Sequence, residues 1–447
     1  MNPDKSLLLT DLYELTMMQG YHYHKMEGIA TFELFVRKLP KNRNFLLFAG
    51  LEQLLCFVEN AHFDEEEIDW LAQQGLKKDF LEYLRTFRFQ GDIYAMAEGT
   101  IFFPFEPILR VTAPIAQAQI LESRLMNIIH YQTLIASKAI RFSLVAPKKN
   151  LVEFGLRRAH GAEASLFAAR ASFIAGFSGT SNVLAGKMYS IPISGTMAHS
   201  FIQAHDVEEM AFYNYAIANP RNVTILIDTY DTERAARYIV KLAPKLKEKG
   251  ITIEAVRLDS GDLDFLSRSV RSILDSGGLK NTKIFVSGSL DEYKLEKLVS
   301  SAAPIDGFGI GTSLDTSSDS PYMDCVYKLQ EYEGKPRRKR STGKATWPGT
   351  KQVFRFFNEN GTFEKDLVCL AEEEYPAYPL LQPVMSKGKR IYPNETLIEI
   401  QKRTMSNLEK LPSRLKTLQS AQPPYPVEFS PPLINLRDKL EREELQM

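Results

Sequence analysis

The chain has 447 residues, and its 55 basic and 55 acidic side chains balance, so no global field would draw it to nucleic acid or anionic lipid. Hydrophobic residues make up 44% and aromatics 11%, enough for a sizeable core, and the length implies two or three domains. Cys56, Cys325 and Cys369 have neither metal nor disulfide spacing, the N-terminal apolar run is too short for a signal peptide, and no stretch approaches a membrane helix in length, so a soluble cytoplasmic protein is expected.

Residues 7–26 read as a helix with Leu8, Leu12, Leu15 and Met18 on one face. Tyr13 sits beside that stripe, where packing is the plain reading. A strand over 31–36, a helix over 50–60 and mostly helical sequence over 68–86 follow. Short strands punctuated by Pro104, Pro107 and Pro114 then lead to a long helical period over 115–142. This first third is mixed α+β and has no Gly-rich phosphate loop. His22 and His24 point apart on a helix and do not form a ligand pair.

From about 150 the pattern changes to strand–helix alternation. LVEF precedes a helix over 160–171, SFIAGF one over 180–186, and SIPIS one over 198–218. VTILID, ITIEAVRLD, KIFVSG and IDGFGIG continue the alternation, with helices over 231–248, 262–276 and 290–300. Such repetition implies parallel strands with crossover helices, either a barrel, which the number of units favours, or a doubly wound sheet. Either way ligands collect at the C-terminal strand ends, and those ends are polar or glycine: Arg157 and Arg158, Gly195-Thr196, Asp228, Arg257 to Asp262, Ser287-Gly288-Ser289 and Gly309 to Thr312.

The two late turns at 287–289 and 309–312 can cradle a phosphate with backbone N–H groups. Arg157, Arg158 and Arg257 offer guanidinium forks for phosphate or carboxylate. Asp228, Asp259 and Asp262 suit Mg²⁺ or sugar hydroxyls, or else cap helices, the reading preferred for Asp262. Thr196 is read as the N-cap of the 198–218 helix, which puts His199 in the first turn. There the helix dipole disfavours imidazolium and backbone N–H groups can hold phosphoryl oxygens, with simple packing as the alternative. After 320 the alternation stops. The basic run over 335–344 lacks aromatics for base stacking and reads as a solvated loop. A β-hairpin pair over 347–363, a helical piece over 395–418, a Pro-rich stretch and a final helix complete the chain. The expected division is 1–145, 146–325, and 326–447 packing back on the first part.

TDLYELTM (10–17), EFGLRRAHG (153–161), GFSGTSNVLAG (176–186), GTMAHSF (195–201), VRLDSGDL (256–263), GIGTSL (309–314) and PGTKQVFR (348–355) together resemble the nicotinate phosphoribosyltransferase family, almost end to end. The resemblance implies an α/β fold, an irregular barrel of the type II phosphoribosyltransferase kind, with a second α+β domain from both chain ends. It implies an ATP-coupled enzyme, formally a ligase, joining nicotinate to 5-phosphoribosyl 1-diphosphate in NAD salvage. Mg²⁺ and ATP are the implied cofactor and coupled substrate, and a homodimer with shared sites the implied assembly. By position, His199 would be the phosphohistidine, with Arg257 and Asp259 completing the catalytic set. Tyr13 (from the neighbouring chain), Phe154, Thr196, Arg257 and Ser181 would surround nicotinate. Arg157, Gly288, Ser289, Gly311 and Thr312 would hold the phosphoribosyl moiety, and Asp228 and Asp259 would lie near Mg²⁺, directly or through water. Nicotinamide-using relatives carry Asp at the positions of Ser181 and Ser289. A nicotinamide-using enzyme and a silent phosphate-ligand-binding barrel are the rival readings.

Overall fold

The computed structural model describes residues 6–341 and 343–444. Two compact units form, one from residues 138–321 and the other from residues up to 137 together with those from 322 onward.

In the 138–321 unit the apolar runs become parallel strands: Asn150–Glu153, Gly179–Thr180, Val223–Leu226, Ile253–Leu258, Lys283–Val286 and Gly307–Ile310. Their order across the sheet is 179–180, 150–153, 307–310, 283–286, 253–258, 223–226. Val223–Leu226 is buried along its whole length, as a strand covered on both faces must be. The crossover helices Thr232–Lys247, Leu263–Ser276 and Glu292–Ser300 start at Asp231, Asp262 and Asp291, each accepting a backbone N–H three residues on. Asp262 is thus a cap, while Asp228 and Asp259 are left for the rim. Among the described residues no ladder joins the two outer strands, and the 179–180 edge is extended there by the bridge between Thr180 and Ile193. The result is an irregular, incompletely closed α/β barrel.

Four local expectations are overturned here. SFIAGF is no strand: its first residues finish the helix Ala162–Ile174 and the rest turns out of it. A short apolar run following an alanine-rich helix has no periodicity of its own to mark it as extended. SIPIS contributes one bridge instead of a strand, because Pro192 lacks the N–H a ladder needs. The helix expected over 198–218 is two, His199–Gln203 and Glu208–Ala218, with Glu208 and Glu209 in the second one's first turn. Ala198, not Thr196, is the N-cap before His199, and its side chain caps nothing.

The other unit is built on antiparallel pairing between both chain ends. Ile29–Val36 pairs with Cys325–Tyr332 on one side and Leu109–Pro114 on the other, and Asp92–Ala95 pairs with Gln382–Ser386. Lys351–Phe357 and Phe363–Leu370 form the hairpin of a second sheet, joined by Val427–Phe429. Buried charge is matched across strands: Arg355 forks onto Asp366, with Nε 2.9 Å from Oδ1, and Lys351 Nζ lies 2.9 Å from Glu33. The first helix is Leu12–Tyr23. The 68–86 and 115–142 segments each divide, into Glu65–Gln73 and Lys78–Arg85, and into Ile115–Gln119 and Glu122–Val145. The 395–418 segment is helical over Leu397–Lys410. Among the described residues no helix is long and apolar enough to cross a membrane.

Candidate active site

Arg257 organises the rim. It precedes the last residue of Ile253–Leu258, and strand alternation puts it on the same face as Asp259. Its Nε donates to Ser287 Oγ (2.8 Å), Nη1 to Thr196 Oγ1 (3.0 Å) and Nη2 to Asp259 Oδ1 (2.7 Å). The guanidinium carbon lies 5.6 Å from the Phe154 ring centre, a cation–π distance. Thr196, expected as a cap, instead accepts from Arg257. Ser287 closes the set by donating to Asp259 Oδ1. Burial alone would push Asp259 up, but the Ser287 hydroxyl, Arg257 and His199 together hold it below the usual carboxylate range. It therefore faces the rim ionised.

His199 opens a helix of only five residues, so its setting comes less from a macrodipole than from Asp228. Nε2 lies 3.1 Å from Asp228 Oδ1. The other carboxylate oxygen accepts the Asp259 N–H (2.9 Å) and the Ser260 hydroxyl (2.6 Å). Asp228 acts as acceptor throughout, so Nε2 is the ring nitrogen that donates to it and Nδ1 is the one left to face a ligand. The His199 side chain is 39% exposed and that of Asp228 2%, so the acid is fixed and the imidazole reachable.

Phe154, Arg157, Arg257, Asp259, Gly288, Ser289, Gly311 and Thr312 line one cavity of about 180 Å³. A larger cavity of about 550 Å³ runs between Phe154 and Thr196 and the opposite strand ends at Lys148, Arg221 and Lys283. The convergent polar groups belong to the smaller one, and the chemistry is assigned there. Gly288 has φ +100°, and a Cβ on it would stand 2.0 Å from the Asp259 carbonyl oxygen. Only glycine lets that turn lie against Asp259. Ser289 is left-handed too (φ +48°), and its carbonyl accepts from Lys294 Nζ at 2.8 Å. Arg158 donates to Thr312 Oγ1 at 3.3 Å.

Five expected residues do not line this cavity: Thr196 joins it through Arg257, Asp228 through the Asp259 N–H and His199 through Asp228, and the other two are Ser181 and Tyr13. Ser181 follows Gly179–Thr180 and donates its N–H to the Glu153 carbonyl at 2.9 Å. Tyr13 belongs to the other unit, on its first helix, 44% exposed; burial, then Glu122, Glu14 and Asp11, raise its phenol, so it stays protonated. Sequence reasoning missed Ser287 as the bridge between Arg257 and Asp259, although it shares the inward face with Phe285, which pairs with Arg257.

Among the described residues no group of three or more His, Cys, Asp or Glu is arranged to hold a metal. Both Asp228 oxygens are engaged, which leaves Asp259 as the carboxylate open to a hard cation. That donor set fits Mg²⁺ shared with water and a phosphate-bearing ligand, not an all-protein cage.

Three family models cover the chain: the nicotinate phosphoribosyltransferase N-terminal domain over 8–130, the nicotinate phosphoribosyltransferase family over 149–346, and the nicotinate phosphoribosyltransferase C-terminal domain over 374–437. The chain is 44% identical to nicotinate phosphoribosyltransferase pncB2 of Mycobacterium tuberculosis, over 95% of this chain and 91% of that protein. To the nicotinate phosphoribosyltransferase of Bacillus subtilis it is 38% identical, over 96% and 94%. The crystal structure of human nicotinic acid phosphoribosyltransferase superposes with a TM-score of 0.88 at 29% identity, covering 96% of this chain and 99% of that one.

Proposed function

The chain belongs to the nicotinate phosphoribosyltransferase family, enzymes of NAD salvage that use 5-phosphoribosyl 1-diphosphate, and from that premise we propose how its residues divide the work. The observation that carries the reading is the fan of Arg257: one guanidinium ties Phe154, Thr196, Ser287 and Asp259 to the wall that also holds the 288 and 311 turns. Nicotinate lies against Phe154, its carboxylate toward Arg257, Thr196 and Ser181. The phosphoribosyl group sits on Gly288, Ser289, Gly311 and Thr312 with Arg157 at its phosphate.

In the transfer, the anomeric C–O bond breaks, its electron pair leaves with diphosphate, and the pyridine nitrogen forms the new N–C bond. The sugar passes through oxocarbenium character and needs no protein nucleophile. The chain contributes orientation and charge: Arg157 and Arg257 hold the anionic ends, and Asp259 stays ionised beside the developing cation. Mg²⁺ held by Asp259 and the diphosphate, directly or through water, would supply charge to the leaving group.

ATP is proposed to use the same rim, since the sequence has no Walker loop. His199 Nδ1 takes the γ-phosphoryl group as the bond to ADP breaks, and water later releases phosphate. Asp228 holds Nε2, which leaves Nδ1 as the nucleophile.

The proposed assembly is a homodimer in which the partner subunit's Tyr13 completes each nicotinate pocket. Supporting it, Leu9, Leu12, Tyr13 and Met17 are exposed at the first helix of one unit. In the other, Leu156, Val183, Leu184, Met188 and Ile193 are exposed near Ser181. Apolar surface of this extent is characteristic of interfaces.

The test is labelling with ATP carrying a marked γ-phosphate. The wild type should acquire an acid-labile label, and His199→Ala should fold, lose the label, and keep transfer at reduced substrate affinity. A fully labelled Ala variant would move the phosphorylation elsewhere.

A further inference from the structure

Behind the cavity wall lie two carboxyl groups that the reaction above does not use. Glu153 ends the strand just before Phe154, and Asp315 ends the short helix Thr312–Asp315 that follows Gly311. Both are fully buried. Glu153 Oε1 accepts the Gly155 N–H and Oε2 the Thr180 hydroxyl, and the Asp315 carboxyl sits close enough to Glu153 for the two acids to interact. Asp315 also presses on the Gly155 backbone, where a Cβ would stand 2.1 Å from its carboxyl carbon. The Glu153 carbonyl holds the Ser181 N–H. Two side chains thus touch three segments: the one carrying Phe154 and Arg157, the one carrying Ser181, and the one carrying Thr312.

Two contacting carboxyls sealed from water cannot both ionise. Burial first, and the facing Glu153 second, push Asp315 well above the ordinary range. Glu153 is raised by burial and drawn back by its donors Thr180, Gly155 and Asp315. The charged groups on neighbouring elements are Arg157 and Arg158, exposed in the following turn with Arg158 bonded to Thr312, and Arg170, buried on the helix Ala162–Ile174. A single proton on Asp315, directed at Glu153, would relieve the repulsion between the two.

We propose that Glu153 and Asp315, sharing one proton, are positioning residues that set the Phe154 and Ser181 segments against the Thr312 segment. The pair would make the nicotinate and phosphoribosyl subsites one preformed unit. This rests on the residue roles proposed above.

The test compares Asp315→Asn, which keeps a donor to Glu153 in nearly the same volume, with Asp315→Ala, which loses both. Expected for Asn are KM values for both substrates within about threefold of wild type; expected for Ala is a rise of roughly tenfold or more in both, with kcat changed much less. Rescue by Asn together with a joint KM effect is what general destabilisation would not produce. An Asn variant as impaired as Ala, or a folded Ala variant with both KM values unchanged, overturns the proposal. Should Ala fail to fold, the infrared spectrum of ligand-free protein decides. The wild-type minus Asp315→Asn difference spectrum at neutral pH, in which bands from other buried acids such as Glu14 and Glu106 cancel, should show the carbonyl stretch of one protonated carboxylic acid, and its absence overturns the shared proton. If Arg157→Ala leaves the phosphoribosyl diphosphate KM unchanged while these results hold, the subsite assignment fails and the pair stands.

Discussion

Replacing Gly288 by alanine separates the tight approach at the rim from simple backbone strain. At φ +100° an L-residue is strained by about 1–3 kcal/mol. At Gly288 there is a second problem: the new methyl would meet the Asp259 carbonyl oxygen at 2.0 Å, where real contacts begin above 3.0 Å. One of the two segments must therefore move by about 1 Å, and displacement on that scale costs on the order of 10²-fold in rate for a positioned catalytic group. Asp259 carries the bonds to Arg257 and Ser287, so the shift would disturb the carboxylate as well as the turn. Gly278 is the control: its φ is +79° but a Cβ there meets nothing within 4 Å. Gly278→Ala should lower the thermal midpoint slightly and leave kinetics alone. Gly288→Ala should keep most of its thermal stability and lose about 10²-fold in kcat/KM for phosphoribosyl diphosphate. Steady-state kinetics and thermal melts on both variants, done side by side, supply the comparison. Equal kinetic losses in the two, or none at Gly288, would refute the idea that this turn is built against Asp259.

Ser181→Asp should cut kcat/KM for nicotinate by 10²-fold or more, because a second carboxylate facing the ring carboxylate in a dry pocket costs on the order of a few kcal/mol; unchanged nicotinate kinetics would count against it. Tyr13→Ala and Arg257→Ala chains, each nearly inactive, should regain partial activity when mixed and reassembled, since one site of a hybrid dimer is intact; no recovery despite proven hybrids refutes the shared site. Glu14 is pushed up to about 7 from 4.5, chiefly by burial, against the pull of Ser123 and Thr10. A folded state that binds the proton more tightly loses stability as pH rises through that window, by roughly 3 kcal/mol between pH 4.5 and 7. Wild type should therefore lose urea resistance relative to Glu14→Gln on going from pH 5 to pH 8, and a constant difference would show that Glu14 does not titrate there.

Much of the architecture was legible in the chain because it follows from local pattern. Short apolar runs alternating with amphipathic helices can only form a parallel sheet with crossovers, and that topology gathers strand ends on one rim. Arg257, Asp259, Gly288 and Gly311 could be picked out before any coordinates, since each occupies a polar or glycine strand end. Asp262 could be recognised as a cap for the same local reason. What the pattern could not decide was who meets whom. Thr196 looks like a cap in isolation, yet its hydroxyl serves Arg257, which lies on a separate strand. His199 seemed governed by its own helix, which proved too short, and Asp228 from another strand end holds its ring through Nε2. Nothing in the local sequence around Glu153 or Asp315 marks either as buried or pairs it with the other. Burial is a sum over everything packed around a group, and a hydrogen bond needs two atoms within about 3 Å. Those quantities exist only once distant segments are brought together, so the sequence determined the rim and its residue types, and the tertiary structure alone decided their pairing and their protons.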